Sequence, residues 1–98
     1  MTNEEKVTAI FATLERAQVS MTDFSRLSGI SRASLYNWKA GANVTDKLRL
    51  RDAYAFAQRL SKAVEMKKLP LVGLYKLTER IRVLRQIIGE ANKEMSKN

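Results

Sequence analysis

Hydrophobic residues recur at intervals of three and four positions along most of the chain, and this spacing predicts helices. The first such stripe consists of Val7, Ile10, Phe11, Leu14 and Ala17. It predicts a helix from about Asn3 to Ala17 with one apolar face. The period-two alternation typical of strands is not sustained over any long stretch, so the pattern indicates an all-α fold.

Capping residues and a glycine set the bounds of a short second helix. Ser20 or Thr22 can cap its start, because a hydroxyl there accepts a hydrogen bond from an unpaired backbone N–H. Asp23 lies three residues after Ser20, as in a capping box, and Gly29 ends the helix. The segment therefore predicts a helix over about residues 22–28.

Another short helix follows the turn at Gly29. Ser31 can cap it and Gly41 ends it, which predicts a helix from Arg32 to Ala40. Glycine takes positive φ without strain, so the two helices can meet nearly perpendicular to each other. The residues expected on the inner side of this helix pair are Phe24, Ser25, Leu27, Ile30, Leu35 and Trp38.

Two longer helices are predicted in the second half of the chain. Thr45 as the N-cap, with Asp46 in the first turn, opens a helix of about twenty residues that runs towards Lys68. Its expected inward residues are Leu48, Leu50, Ala53, Ala57, Leu60 and Val64. Pro70 is expected in the first turn of the last helix, where its missing N–H is tolerated.

The last helix carries a long apolar repeat: Leu74, Leu77, Ile81, Leu84, Ile88, Ala91 and Met95. Three heptads of this kind predict a coiled-coil or helical-hairpin seam. Arg80 and Arg85 would repel each other in a parallel homodimer, so we expect antiparallel pairing with the preceding helix or with a second chain. Val83 and Ile87 widen the stripe, as a bundle with more than one neighbour requires.

The length of 98 residues allows one small domain with an extension, and such a chain buries only a modest part of its surface alone. We assign residues 1–44 to a module that contains the pair of short helices. Residues 45–98 form a long-helix extension for bundle completion and oligomerisation. A homo-oligomer, either a dimer or a larger assembly, is therefore expected.

Charge narrows the classes of partner. Eighteen Lys and Arg against ten Asp and Glu give a formal net charge of +8 and a pI near 10.1. Such a charge attracts polyanions, so nucleic acid is the leading partner class. A ribosomal-type basic protein and an acidic membrane surface are the alternatives.

Cysteine and histidine are both absent from the sequence, which excludes disulfides, zinc fingers, thiol nucleophiles and imidazole bases. The chain has no P-loop or glycine fingerprint, and its acidic residues are spread singly over the predicted helices. We expect neither an enzyme nor a metal, cofactor or small-molecule substrate. The first segment is neither a secretory signal nor a membrane span, so a cytoplasmic protein without membrane contact is expected.

Five residues of the short helix pair have the spacing of a known motif: Ser25, Gly29, Ile30, Leu35 and Trp38. A small residue, a glycine four positions later and three apolar residues resemble the helix-turn-helix of the phage repressor and Cro type. Ser25 stands where alanine is more usual in that family. The chain also lacks the glutamine that often begins the first helix, which leaves phosphate contact there to Thr22 or to the backbone of Met21.

The resemblance implies that the helix from Arg32 to Ala40 lies in the major groove of duplex DNA. The residues closest to the bases are then Arg32, Ala33, Tyr36 and Asn37. Arginine can donate two hydrogen bonds to guanine, asparagine can pair with adenine, and a small residue lets the helix approach the bases. Trp38, in register with Leu35, is expected in the core.

Basic residues at the start of the fourth helix extend this candidate surface. Lys47 and Arg51 lie four positions apart and share a face, so they are candidates for phosphate contact, while Leu48 and Leu50 are expected to face inward. The full set of candidate DNA-binding residues is Thr22, Ser31, Arg32, Ala33, Tyr36, Asn37, Lys39, Lys47 and Arg51.

These features favour a small transcriptional regulator, a repressor of phage, plasmid or bacterial origin that acts as a dimer on a short duplex site. One alternative is a DNA-binding phage packaging or replication accessory protein, similar to a small terminase subunit, that forms a larger multimer. Another is a helical interaction protein that inhibits a host enzyme. Single-stranded DNA and RNA also stay open as ligands.

Overall fold

Five α-helices make up most of residues 1–97, the part of the chain that the computed structural model describes. They are α1 (Asn3–Ala17), α2 (Met21–Ser28), α3 (Arg32–Lys39), α4 (Lys47–Glu65) and α5 (Leu77–Met95). Residues 1–97 contain no strand, and the predicted all-α fold is confirmed. Asn98, the last residue of the predicted extension, lies outside the described residues.

All five helices contribute to a single hydrophobic core. Its fully buried large side chains are Ile10, Phe24, Leu35, Leu50, Leu60 and Leu84. α1 packs along α4, and α5 packs against both α4 and α2. Because α2 and α3 also contact each other and neighbouring helices, the pair of short helices is held on a bundle built largely from the long ones.

The start of α1 is fixed by a capping box. The side chain of Thr2 accepts a hydrogen bond from the backbone N–H of Glu5, and the Glu5 carboxylate accepts one from the N–H of Thr2. The hydrogen bond from the Thr2 backbone N–H to the carboxylate, and to a smaller degree the Thr2 side chain, hold the pKa of Glu5 below its usual value. The helix ends at Gln18, which takes a left-handed conformation with φ of 53°.

The start of α4 differs from the prediction. Asp46 is the N-cap, and its Oδ1 accepts a hydrogen bond of 3.0 Å from the N–H of Arg49, so Thr45 lies outside the helix. Leu48 is 64% exposed, whereas Leu50 is buried. Two residues apart on a helix differ by about 200° in direction, so Leu48 and Leu50 cannot both face the core. The inward face continues instead through Ala53, Ala57, Leu60 and Ala63.

The connection between α4 and α5 also differs from the prediction. Pro70 lies in the connecting segment, residues 66–76, and not in a helix, because α5 begins only at Leu77. The peptide bond between Leu69 and Pro70 is cis. Leu69 is buried in the core, and Gly73 adopts a positive φ of 78°. The chain must leave helical conformation here to bury Leu69 and make this turn, and Val72 and Tyr75 are left almost fully exposed.

Helix α5 uses its apolar stripe mainly within the chain. The buried residues of the stripe are Ile81, Leu84, Ile87, Ile88 and Ala91, whereas Met95 is 38% exposed. Val83 is half-buried and packs on the same core. The wide stripe thus serves two neighbours, α4 and α2, as expected. Pairing with a second chain stays a prediction.

Candidate nucleic-acid interface

The turn between α2 and α3 is held by serine hydroxyl groups and one glycine. Gly29 ends α2 with φ of 76°, as the motif requires. The Ser25 hydroxyl donates a hydrogen bond of 2.6 Å to the carbonyl of Ile30. The Ser28 hydroxyl donates to the carbonyl of Phe24 at 2.7 Å and accepts from the N–H of Ile30 at 3.2 Å. These contacts fix the direction in which α3 leaves α2.

Serine also caps both short helices. The Ser20 side chain accepts a hydrogen bond of 3.1 Å from the N–H of Asp23, and the Ser31 side chain accepts one of 3.1 Å from the N–H of Ser34. The Ser31 hydroxyl donates to the hydroxyl of Ser34 as well. Ser31, a predicted DNA-binding residue, is therefore exposed but already engaged in capping α3.

The inner side of α3 is anchored as predicted. Leu35 is fully buried and Trp38 is 7% exposed. With about 100° between successive residues, Ala33 lies at the centre of the opposite face, and Tyr36 and Asn37 flank it. Ala33, Tyr36 and Asn37 are exposed, Tyr36 by 54%. The outer face of α3 thus combines a small central residue with two polar side chains.

Arg32 lies at one edge of this face, beside α2. Its Nη1 donates a hydrogen bond of 3.3 Å to the hydroxyl of Thr22. This contact brings two predicted DNA-binding residues together. It uses one of the five N–H donors of the guanidinium, so the others are available to a ligand.

Lys39 lies at the other end of α3, near α1. Its Nζ is 6.0 Å from the centroid of the Phe11 ring, a distance compatible with a weak cation–π contact. The basic residues of α3 therefore stand at opposite ends of its exposed face. α3 contains no acidic residue, and in residues 1–97 neither Arg32 nor Lys39 forms a salt bridge.

Lys47 and Arg51 are exposed on the first turns of α4. The Arg51 guanidinium is 3.5 Å from the carboxylate of Asp52, but both side chains are mostly exposed, so this pair is weak. The predicted inward direction of Leu48 is wrong: this side chain stands in solvent next to the basic pair. The exposed surface of early α4 is therefore partly apolar.

A buried ion pair between α2 and α5 was not predicted from the sequence. The Asp23 side chain is only 7% exposed and accepts two hydrogen bonds from Arg80, from Nε at 2.9 Å and from Nη2 at 3.2 Å. Hydrogen bonding to Asp23 raises the pKa of Arg80. Asp23 lies four residues before the buried Leu27, and this spacing was a signal that its side chain faces inward and needs a partner.

No known protein family matches the chain, and no curated protein or solved structure is significantly similar to it. Within residues 1–97, none of the helices has the length and apolar character needed to cross a membrane. The same residues contain no cluster of acidic side chains arranged to hold a metal ion. The likeness to the helix-turn-helix motif thus rests on the sequence of residues 21–41.

Proposed function

We propose that this protein binds duplex DNA in a sequence-specific manner and acts as a small transcriptional regulator, with α3 as its recognition helix. One observation supports the proposal above all others. α3 is anchored from below by Leu35 and Trp38 and presents an exposed face without acidic residues, centred on Ala33. A helix about 10–12 Å across fits a major groove about 12 Å wide, and a small residue at the centre of its outer face lets the helix approach the bases.

The side chains on and beside this face can read base edges. Arg32 can donate two hydrogen bonds to guanine, and the Asn37 amide can both donate to and accept from adenine. Tyr36 offers a hydroxyl and an apolar ring that can contact a thymine methyl group. The side chain of Ala33 is a methyl group, which is too short to hold the helix away from the base pairs.

Polar and basic residues at the two ends of α3 and on early α4 are suited to phosphate contact. Thr22 and Ser31 lie at its N-terminal end, and Lys39 lies at its C-terminal end. Lys47 and Arg51 add positive charge on α4. Contacts of this kind do not read sequence, but they make the affinity fall steeply with salt.

A dimer fits this function. Two recognition helices about 34 Å apart can enter successive turns of one duplex face, which multiplies the weak binding of each. We therefore propose that the functional unit is a homodimer on a two-fold related site. A molar mass that corresponds to eight or more subunits, measured by light scattering, would instead favour the larger multimer of a packaging or replication accessory protein.

The proposal is tested by selecting binding sites from a randomised duplex library and then measuring Arg32→Ala and Asn37→Ala on the selected and on scrambled duplexes. Each substitution is expected to weaken specific binding by about 1–3 kcal/mol and to change non-specific binding little. Asn92→Ala, at an exposed position in the last part of α5, is the matched control for Asn37. Failure of the library to enrich any sequence, or equal losses on both duplexes, would contradict sequence-specific reading by α3.

A further inference from the structure

A groove between α2 and α5 combines an apolar floor with three arginines. Its volume is about 390 Å³, and it is lined by Arg26, Leu77, Thr78, Ile81, Arg82 and Arg85. Leu77 is half-buried and Ile81 is 9% exposed, so the floor belongs to the hydrophobic core. The three arginines are exposed at its edges.

The arginines of this groove are not paired with a carboxylate within residues 1–97. Across the described part of the chain, Arg26, Arg82 and Arg85 form no salt bridge. The nearby carboxylate of Asp23 is occupied by Arg80 through two hydrogen bonds. Like charges that line a cleft with low-dielectric walls concentrate the electric field in it, so the groove attracts an anion from outside the chain.

The groove continues the candidate interface of α3. Thr22 and Arg26 lie four residues apart on α2 and therefore share a face. Thr22 accepts the hydrogen bond from Arg32, which joins this face to the N-terminal end of α3. A basic path thus runs from α3 over α2 to the edge of α5.

We propose that the groove formed by Arg26, Arg82 and Arg85 is a second binding site for the sugar-phosphate backbone of the DNA that α3 reads. This inference rests on the proposed function, and it adds a DNA-binding role to α5, a helix expected from its sequence to complete the bundle and to support oligomerisation. The guanidinium fork donates two parallel hydrogen bonds to a phosphate, which makes arginine well suited to this task. The strand that leaves the major groove beside Arg32 passes over α2 and lies along the groove.

The test uses the full chain and the double variant Arg82→Gln/Arg85→Gln. The control is Lys93→Gln/Lys97→Gln, which removes the same charge from exposed positions in the last turn of α5 and just beyond its end. Affinity is measured by fluorescence anisotropy at several salt concentrations. Two duplexes are compared, one that ends at the selected site and one with flanks of about ten base pairs.

On the flanked duplex we expect the groove variant to bind roughly tenfold more weakly, with the slope of log affinity against log salt reduced by about two, while the control changes much less. On the short duplex the variant and the parent protein should differ little. Phosphate ethylation should interfere with binding at flanking phosphates for the parent protein and lose this effect in the variant. Arg26→Gln, on α2, should show the same pattern to a smaller degree, and it supplies the test if the double variant is less stable.

Two results would overturn the inference. Equal losses in the groove and control variants would show that total charge, and not this groove, attracts DNA. Unchanged binding of the groove variants, with Arg32→Ala still defective, would leave the proposed function standing and remove the groove from it. If Arg32→Ala also binds every duplex as the parent does, the proposed function itself fails.

Discussion

The turn between α2 and α3 and the attachment of α5 are built from different kinds of contact. At the turn, the hydroxyls of Ser25 and Ser28 bond to backbone groups no more than five residues away. By contrast, the ion pair of Asp23 with Arg80 joins residues 57 positions apart. The direction of α3 is therefore encoded locally, whereas the position of α5, and with it the arginine groove, depends on the folded chain as a whole.

The difference extends to the chemistry of the contacts. The turn uses neutral hydroxyl groups, each of which contributes about 1 kcal/mol to stability when it is hydrogen-bonded. The α5 attachment uses a carboxylate that is almost fully buried and that accepts two hydrogen bonds from the Arg80 guanidinium. Lys68 and Glu90 add a second, more exposed ion pair beside α5, and the hydrogen bond from Lys68 lowers the pKa of Glu90.

The largest effect on stability is expected at Trp38, which anchors α3 in the core shared by all five helices. Trp38→Ala should lower the free energy of unfolding by about 3–5 kcal/mol, because it leaves a cavity under α3. Tyr36→Ala, two residues away on the exposed face, should change it by no more than about 0.5 kcal/mol. Urea unfolding followed by circular dichroism measures both. A stable Trp38→Ala variant with a normal spectrum and no DNA binding would show that Trp38 belongs to the interface and not to the core.

The next largest effect concerns the long-range attachment. Arg80→Met should lower the free energy of unfolding, because it leaves the Asp23 carboxylate buried without a partner. The double variant Asp23→Leu/Arg80→Met removes both charges and should recover most of this loss. Denaturant unfolding of the two variants gives the comparison. Equal stability of Arg80→Met and the parent protein would mean that water replaces the arginine and that α5 is held by its apolar side alone.

The smallest changes in stability are expected at two glycines, and they should have opposite signs in the turn and in α5. Gly29→Ala should destabilise the protein by about 1–2 kcal/mol, because alanine is strained at a φ of 76° although the space around it is open. Gly89→Ala, in the interior of α5 and also in open space, should stabilise it by about 0.5–1 kcal/mol through helix propensity. Melting temperatures report both changes. Opposite shifts are expected, and a stabilising Gly29→Ala would contradict the left-handed turn.

The same contrast explains what could be predicted from the sequence. The helix pair was predictable because its signals are local: Ser20 and Ser31 cap, Gly29 turns, and Leu35 and Trp38 mark the inner face. The exposed side chains of α3 could be predicted as well, because they lie opposite Leu35 and Trp38 on the helix. The function assigned to them stays a proposal, since sequence and fold do not name a ligand.

The errors fall where distant contacts decide the outcome. Residues 69–75 have helix-like apolar spacing, but Leu69 is taken into the core and the chain turns at Gly73 before α5 can begin. Thr45 and Asp46 are both good caps, so sequence alone did not separate them. The contacts of Arg32 with Thr22 and of Arg80 with Asp23 join separate helices, and no local pattern specifies such pairs.

The serine-built turn has a consequence for any measurement made in varying buffers. Hydroxyl hydrogen bonds carry no net charge, so dissolved ions barely screen them, and serine does not titrate near neutral pH. The angle between α2 and α3 should therefore be the same in dilute and in concentrated salt. A salt titration of this protein therefore reports on its charged contacts, because the shape of the recognition surface does not change with salt.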